Sequence, residues 1–162
     1  MTNEERMIEG ALRTWKLNET RLDRFFHPLS EEQLQYQVAP DRNRLIYLWG
    51  HLSATHDALF PLLGLGPRLF PELEGMFLSC PDRSNSGIYS GKELKQIAGQ
   101  VHHSLWVAFN ELKPGEWLEK HTSVTAAEFA TDPSRNRYSV VLNRTAHMAF
   151  HLGQAALVKF PR

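Results

Sequence analysis

Residues 139–158 read SVVLNRTAHMAFHLGQAALV and carry one formal charge, Arg144. No proline interrupts the run, and its good helix formers predict one long helix. At roughly 100° per residue, Val140, Asn143, Arg144, His147, Phe150, His151, Gln154 and Val158 fall on one side. The ends of that stripe are apolar and its middle is polar. Tyr138, Leu142, Ala149, Leu152 and Ala156 fall on the other side, which carries no charge. A helix that is apolar nearly all round is expected to be buried all round. One face should therefore enter the core, and the crossover described below or a second copy of the chain should cover the other. The small residues Ala149 and Ala156 favour a homodimer.

Three more segments have helical period, and none reads as a strand. The first runs from about Glu4 to Phe26 with a stripe of Ile8, Leu12, Trp15, Leu22 and Phe25, and Pro28 stops it. The second runs from about Asn43 to Leu63 and ends at Gly64, Gly66 and Pro67; Tyr47, Leu48, His51, Ala54, Thr55, Ala58, Leu59 and Leu62 share one side. The third opens on a capping-box pattern, Ser90-Gly-Lys-Glu93, and carries Leu94, Ile97, Ala98, Val101, Leu105, Ala108 and Leu112. A polar link from about Glu116 to Asp132 leads to the last helix, predicted over about Ser134 to Lys159. Four amphipathic helices predict an all-α fold, a four-helix bundle forming a single domain over residues 1–162. A long crossover, Gly64 to Tyr89, joins the second and third helices; its three prolines and its Phe70, Leu73, Met76, Phe77 and Leu78 fit either a lid over the bundle or a plain connection with a small core of its own.

Composition narrows the function. Lys plus Arg is 18 and Asp plus Glu is 18, so the chain has no basic excess and nucleic acid is not an expected partner. The start, MTNEERMIEG, is acidic and polar, unlike a secretory signal. No apolar run reaches a membrane span, so no membrane partner is expected. One cysteine, Cys80, leaves no intramolecular disulfide. The expected location is the cytoplasm.

The chemistry lies in the histidines. His147 and His151 are four residues apart, and side chains at that spacing are neighbours on one helix face. Two imidazoles so placed can address one ion, and His51, central in the second helix, is the best third ligand. Asn143 and Gln154 flank the pair and can support it through hydrogen bonds. The other five histidines read as structural or surface residues: His56 is turned about 140° from His51, His102 flanks the third apolar stripe, His103 faces out, and His27 and His121 lie in loops. Cys80 reads as a half-buried thiol.

Two stretches carry a resemblance: Leu48-Trp49-Gly50-His51-Leu52, and His147-Met148-Ala149-Phe150-His151-Leu152-Gly153-Gln154. With their order and the chain length, they resemble the DinB/YfiT-like superfamily of four-helix-bundle metal-dependent proteins, over essentially the whole chain. The resemblance implies a divalent ion, nickel or zinc first, iron or manganese next, held by His51, His147 and His151. It also implies dimers and, among the understood relatives, thiol S-transferases using low-molecular-weight thiols and a thiol-dependent isomerase. Leu152 departs from the pattern, standing where a basic residue often precedes the Gly-Gln pair; the change alters the charge of the pocket in which a thiol would be recognised.

Three neutral histidines leave a bound ion its full charge and an open position, which brings the pKa of a bound water to about 7 or deprotonates a bound thiol. The leading expectation is a metal-dependent enzyme, hydrolase or thiol S-transferase, acting on a small electrophilic molecule. Asn143, Arg144, Gln154 and Tyr47, with Thr55, are the candidates for orienting that substrate. The alternative is a non-catalytic stress-response or binding protein with a structural or sensory metal. A closed four-ligand site with His102 as the fourth ligand would mark it.

Overall fold

The computed structural model describes residues 1–84 and 89–161. Residues 85–88, the end of the predicted crossover, lie outside the described residues. Helices α1 (Asn3–Phe26), α2 (Glu31–Leu34), α3 (Leu45–Asp57), α4 (Leu59–Leu62), α5 (Leu73–Phe77), α6 (Gly91–Glu111), α7 (Pro114–Trp117), α8 (Ala126–Thr131) and α9 (Arg137–Ala156) follow in order. Among the described residues there is no strand, only the isolated bridges Gln37–Arg44 and Lys120–Asn136. No described helix is long and apolar enough to cross a membrane.

The long helices begin where local chemistry starts them. Thr2 with Glu5 and Ser90 with Glu93 form capping boxes at α1 and α6, satisfying backbone N–H groups that the first turn leaves free. Asn136 caps α9 by accepting from the Ser139 N–H at 2.9 Å. The link predicted over Glu116–Asp132 is not featureless: Thr125 and Glu128 form another capping box, which opens α8. The second predicted helix is divided at Ala58 into α3 and α4.

Packing sets α1 against α9, and α3 against both α6 and α9. α1 buries Ile8, Leu12, Trp15, Leu22 and Phe26. Trp15 is fully buried and meets Phe109 of α6 edge-on, with ring centroids 5.5 Å apart. Removing a side chain of that size from a core costs about 3–5 kcal/mol. The helix enclosed on nearly all sides is α3, in which Leu45, Ile46, Leu48, Trp49, Leu52 and Ala54 are all buried.

Burial of α9 differs from the expectation. Its buried residues are Val141, Thr145, Met148 and Ala155, on a line between the two faces read from sequence. Leu142 and Phe150 are exposed, by 41% and 61%, and Asn143, Ala149 and Ala156 are exposed as well. The polar stripe lies at the margin of the core because Asn, Arg and His side chains keep part of their hydration there, which full burial would remove.

The crossover is a strap tied to α3 and running antiparallel to it. At the end of α3, the Asp57 carboxylate accepts from the N–H groups of Leu69 (2.8 Å) and Phe70 (3.2 Å). Midway, Phe77 packs over Gly50, where any β-carbon would overlap its ring. The Tyr47 hydroxyl donates to the Cys80 carbonyl at 2.7 Å. At the start of α3, Asp82 accepts from the Arg44 N–H (2.9 Å) and from its guanidinium (2.6 Å to Nη2). Arg44 has no capping side chain of its own, so Asp82 caps α3 from 38 residues away.

Burial pushes the Asp82 carboxyl up, but the Arg44 side chain, backbone N–H and charge outweigh it and hold the group below the ordinary 3.8. A carboxylate with a depressed folded pKa stabilises the fold above its unfolded value, and that contribution is lost as pH falls through the folded value. Asp82→Asn is expected to cost about 2 kcal/mol at neutral pH. In urea unfolding, the gap from wild type should close as pH drops below about 4.

Candidate metal centre

His51 projects from the middle of α3, and His147 and His151 project from successive turns of α9. All three are half-buried. The Nε2 atom of His147 lies 3.3 Å from Nε2 of His51 and 3.1 Å from Nε2 of His151. One nitrogen from each ring falls within 4.8 Å of the others.

The outer nitrogens decide what the inner ones present. Nδ1 of His51 lies 2.9 Å from the Phe77 carbonyl. A carbonyl only accepts, so Nδ1 carries the proton and Nε2 is a bare lone pair. Nδ1 of His151 donates in the same way to Oε1 of Gln154 at 2.8 Å. Two lone pairs thus converge on His147, whose Nδ1 is buried without a partner among the described residues. Protonation of His147 does not resolve the crowding near neutral pH. Burial first, then His151, His51 and Arg144, lower its pKa from 6.5 to about 4. Burial also lowers His151, with Gln154 opposing.

A divalent ion fits this arrangement. Two nitrogens each bound at about 2.0–2.1 Å with tetrahedral angles lie roughly 3.3–3.4 Å apart, and roughly 3 Å apart at right angles. The two separations from Nε2 of His147, 3.1 and 3.3 Å, fall in that range. Fixing the outer nitrogen of each ligand to an acceptor is the usual means of aiming an imidazole at a metal.

The other sequence candidates separate. Gln154 is part of the site, as the acceptor for His151. Arg144 is half-buried, its Nε has no partner among the described residues, and burial lowers its pKa. Asn143 is exposed. Tyr47 does not serve as a free substrate-orienting group: its ring lies parallel to His51, centroids 6.4 Å apart, but its hydroxyl is committed to the strap at Cys80. Burial, then Asp82 and Cys80, raise its pKa and keep it protonated. Thr55 is buried and donates to the Leu52 carbonyl. His102 faces Glu19 and His56 instead of the three histidines, so the four-ligand set with His102 is not formed.

Sequence reasoning missed two parts of the site. The Phe77 carbonyl is a backbone atom at the end of the short helix α5 and has no residue signature. The loop Val38–Asn43, with Leu48, His151, Gln154 and Leu157, lines a groove of about 440 Å³ that opens beside the histidines. Its Asp41, at φ 59°, marks a tight turn after Pro40, a turn signal readable in Ala-Pro-Asp.

These features define an all-helical protein with a histidine cluster able to hold a metal ion. No protein-family model matches the chain, and no curated protein matches it significantly.

Gln154→Leu frees Nδ1 of His151 and should weaken zinc binding about 10–100-fold by competition titration. The unliganded protein should also be acid-sensitive in a defined window. A histidine with a depressed folded pKa leaves stability intact above 6.5; the unfolded chain takes up the proton as pH falls toward 4. The melting temperature of metal-stripped wild type should drop across that window more steeply than that of His147→Ala.

Proposed function

We propose that the chain is a DinB/YfiT-like four-helix-bundle protein and a metal-dependent enzyme. Its three histidines would serve to activate water or a low-molecular-weight thiol against a small electrophile. The observation that carries this reading is the convergence of three Nε2 atoms with two of the outer nitrogens pinned by acceptors. The pairing of α1 with α9, and of α3 with α6 and α9, supports the bundle. An all-nitrogen set favours zinc or nickel, with iron or manganese behind them. When bound, such an ion supplies Lewis acidity and lowers the pKa of a water or thiol that it coordinates.

The chain's own residues do the rest. His51, held by Phe77, and His151, held by Gln154, keep their lone pairs aimed inward without rearrangement. His147 stays neutral near pH 7 and so remains a ligand. The half-buried guanidinium of Arg144, one turn before His147, is placed to hold an anionic part of a substrate. Its partial burial strengthens that attraction relative to bulk water. The groove beside His151 admits a small molecule and leaves the site open on one side. Among the described residues no carboxylate joins the cluster, so the reading relies on the ion's acidity and not on a side-chain base. The exposed Leu142, Phe150 and Leu157 on and just beyond α9 support a homodimer through that helix.

Protein purified without chelators should carry zinc or nickel, and His51→Ala should lose it by plasma mass spectrometry. A monohalobimane offered with a panel of thiols tests the transferase form: the carbon–sulfur bond forms, halide leaves and the thiol proton passes to solvent. Ester and amide panels test hydrolysis. A wild type that takes up none of zinc, nickel or manganese at the three histidines would sink the reading.

A further inference from the structure

A second set of ligating side chains lies between α1 and α6. Glu19 and Asp23 stand one turn apart on α1, and His102 faces them from α6. One donor atom from each falls within 4.8 Å of the others. Glu19 and His102 are almost completely enclosed, at 4% and 3% exposure. Nevertheless Oε2 of Glu19 and Nδ1 of His102 have no hydrogen-bond partner among the described residues. Nδ1 points toward Oε1 of Glu19 from 3.9 Å, too far for a hydrogen bond. Buried polar atoms left unpaired each cost about 1–3 kcal/mol, so the arrangement calls for something between them.

The back of His102 shows what that is. Its Nε2 lies 2.9 Å from Nδ1 of His56, a fully buried residue wedged against Trp15. One proton bridges the two rings. When it sits on Nε2 of His102, Nδ1 is a bare lone pair facing two carboxylates, a donor set that a bound cation would satisfy. A histidine with its rear nitrogen bonded and its front nitrogen bare is held as metal ligands are held. The carboxylate side is open: Glu19 and Asp23, with Lys16, Thr20, Arg24 and His27, line a depression of about 560 Å³. Lys16 is the present counter-charge, its Nζ 2.7 Å from Oε1 of Glu19. It is half-exposed, leaves Oε2 free, and lies 5.4 Å from the Trp106 ring centroid. Nε2 of His27 stands at the rim, 3.2 Å from Oδ1 of Asp23.

We propose that Glu19, Asp23 and His102 form a second divalent-cation site, independent of the three histidines, that clamps α1 to α6. Two carboxylates and one imidazole neutralise a doubly charged ion and suit a harder cation such as Mn²⁺, whereas an all-nitrogen site prefers zinc or nickel. The chemistry thus separates the two sites by ion as well as by place.

The test is Mn²⁺ titration of metal-stripped protein, followed by loss of the free-ion electron paramagnetic resonance signal. Circular dichroism confirms that each variant is folded. Wild type and His147→Ala should both bind a Mn²⁺ with similar affinity, because the second site does not use His147. Asp23→Asn, a half-exposed change that leaves the core intact, should lose about tenfold or more, since even changes behind a ligand commonly cost that much. Lys16→Met should tighten binding by removing the competing ammonium. Folded His147→Ala that binds no Mn²⁺, or binding unchanged in both Asp23→Asn and Lys16→Met, overturns the proposal. Loss in His147→Ala with retention in Asp23→Asn would also overturn it by placing the ion at the three histidines.

Discussion

The bond from Nδ1 of His51 to the Phe77 carbonyl is the constraint on which the candidate centre rests. It is a neutral hydrogen bond, worth about 1 kcal/mol net, and stability is not its main consequence. It fixes the tautomer and rotation of one imidazole, and it exists only because Gly50 lets the Phe77 ring lie directly on α3. Asp57 and Asp82 hold the strap at its two ends, so the register between Phe77 and His51 is set by contacts well away from the histidines. A segment that could have been read as a loose lid is instead part of the scaffold that orients a ligand.

Electrostatics explains why the histidines sit at the margin of the core. Full burial would maximise the attraction of the site for a substrate charge, but it would strand Arg144 and leave ring nitrogens unpaired on every side. Half-burial keeps His147 neutral, with its pKa near 4, while the groove beside His151 stays open. Arg144 contributes to the first effect, its positive charge lowering the pKa of His147.

Much of this is legible in the sequence where the signal is local. The capping residues Ser90 and Glu93 and the apolar stripes of α1 and α6 locate those helices to within a residue or two. His51, His147 and His151 can be picked out by helical spacing, and the structure brings all three together. What is not legible depends on rotation or on backbone atoms. Uniform hydrophobicity did not identify the buried helix: α9 exposes Leu142 and Phe150, and it is α3 that is enclosed. Nothing in a one-dimensional pattern chooses between the two faces of α9 when Arg144 is the only charge on either. Phe77 acts through its carbonyl, which any residue would have supplied. His56 and His102 meet across 46 residues, and their contact follows from the angles of α3 and α6 about their own axes.

Those angles are themselves specified by polar contacts. His51 and His56 are five residues apart on α3 and point in directions about 140° apart, the first toward α9 and the second toward α6. Apolar contacts alone would tolerate a modest rotation of α3, because Leu45, Ile46, Leu48 and Leu52 exchange one apolar neighbour for another at little cost. A rotation by one residue would swing His51 away from Phe77 and the α9 pair, and would bury His56 without His102. Each polar atom stranded in that way costs more than the hydrogen bond it had made. The two histidine contacts therefore act as opposed pins on a single helix, one on each neighbour. The same side chains that assemble ligands on either side of α3 also exclude the alternative packings in which neither cluster could form.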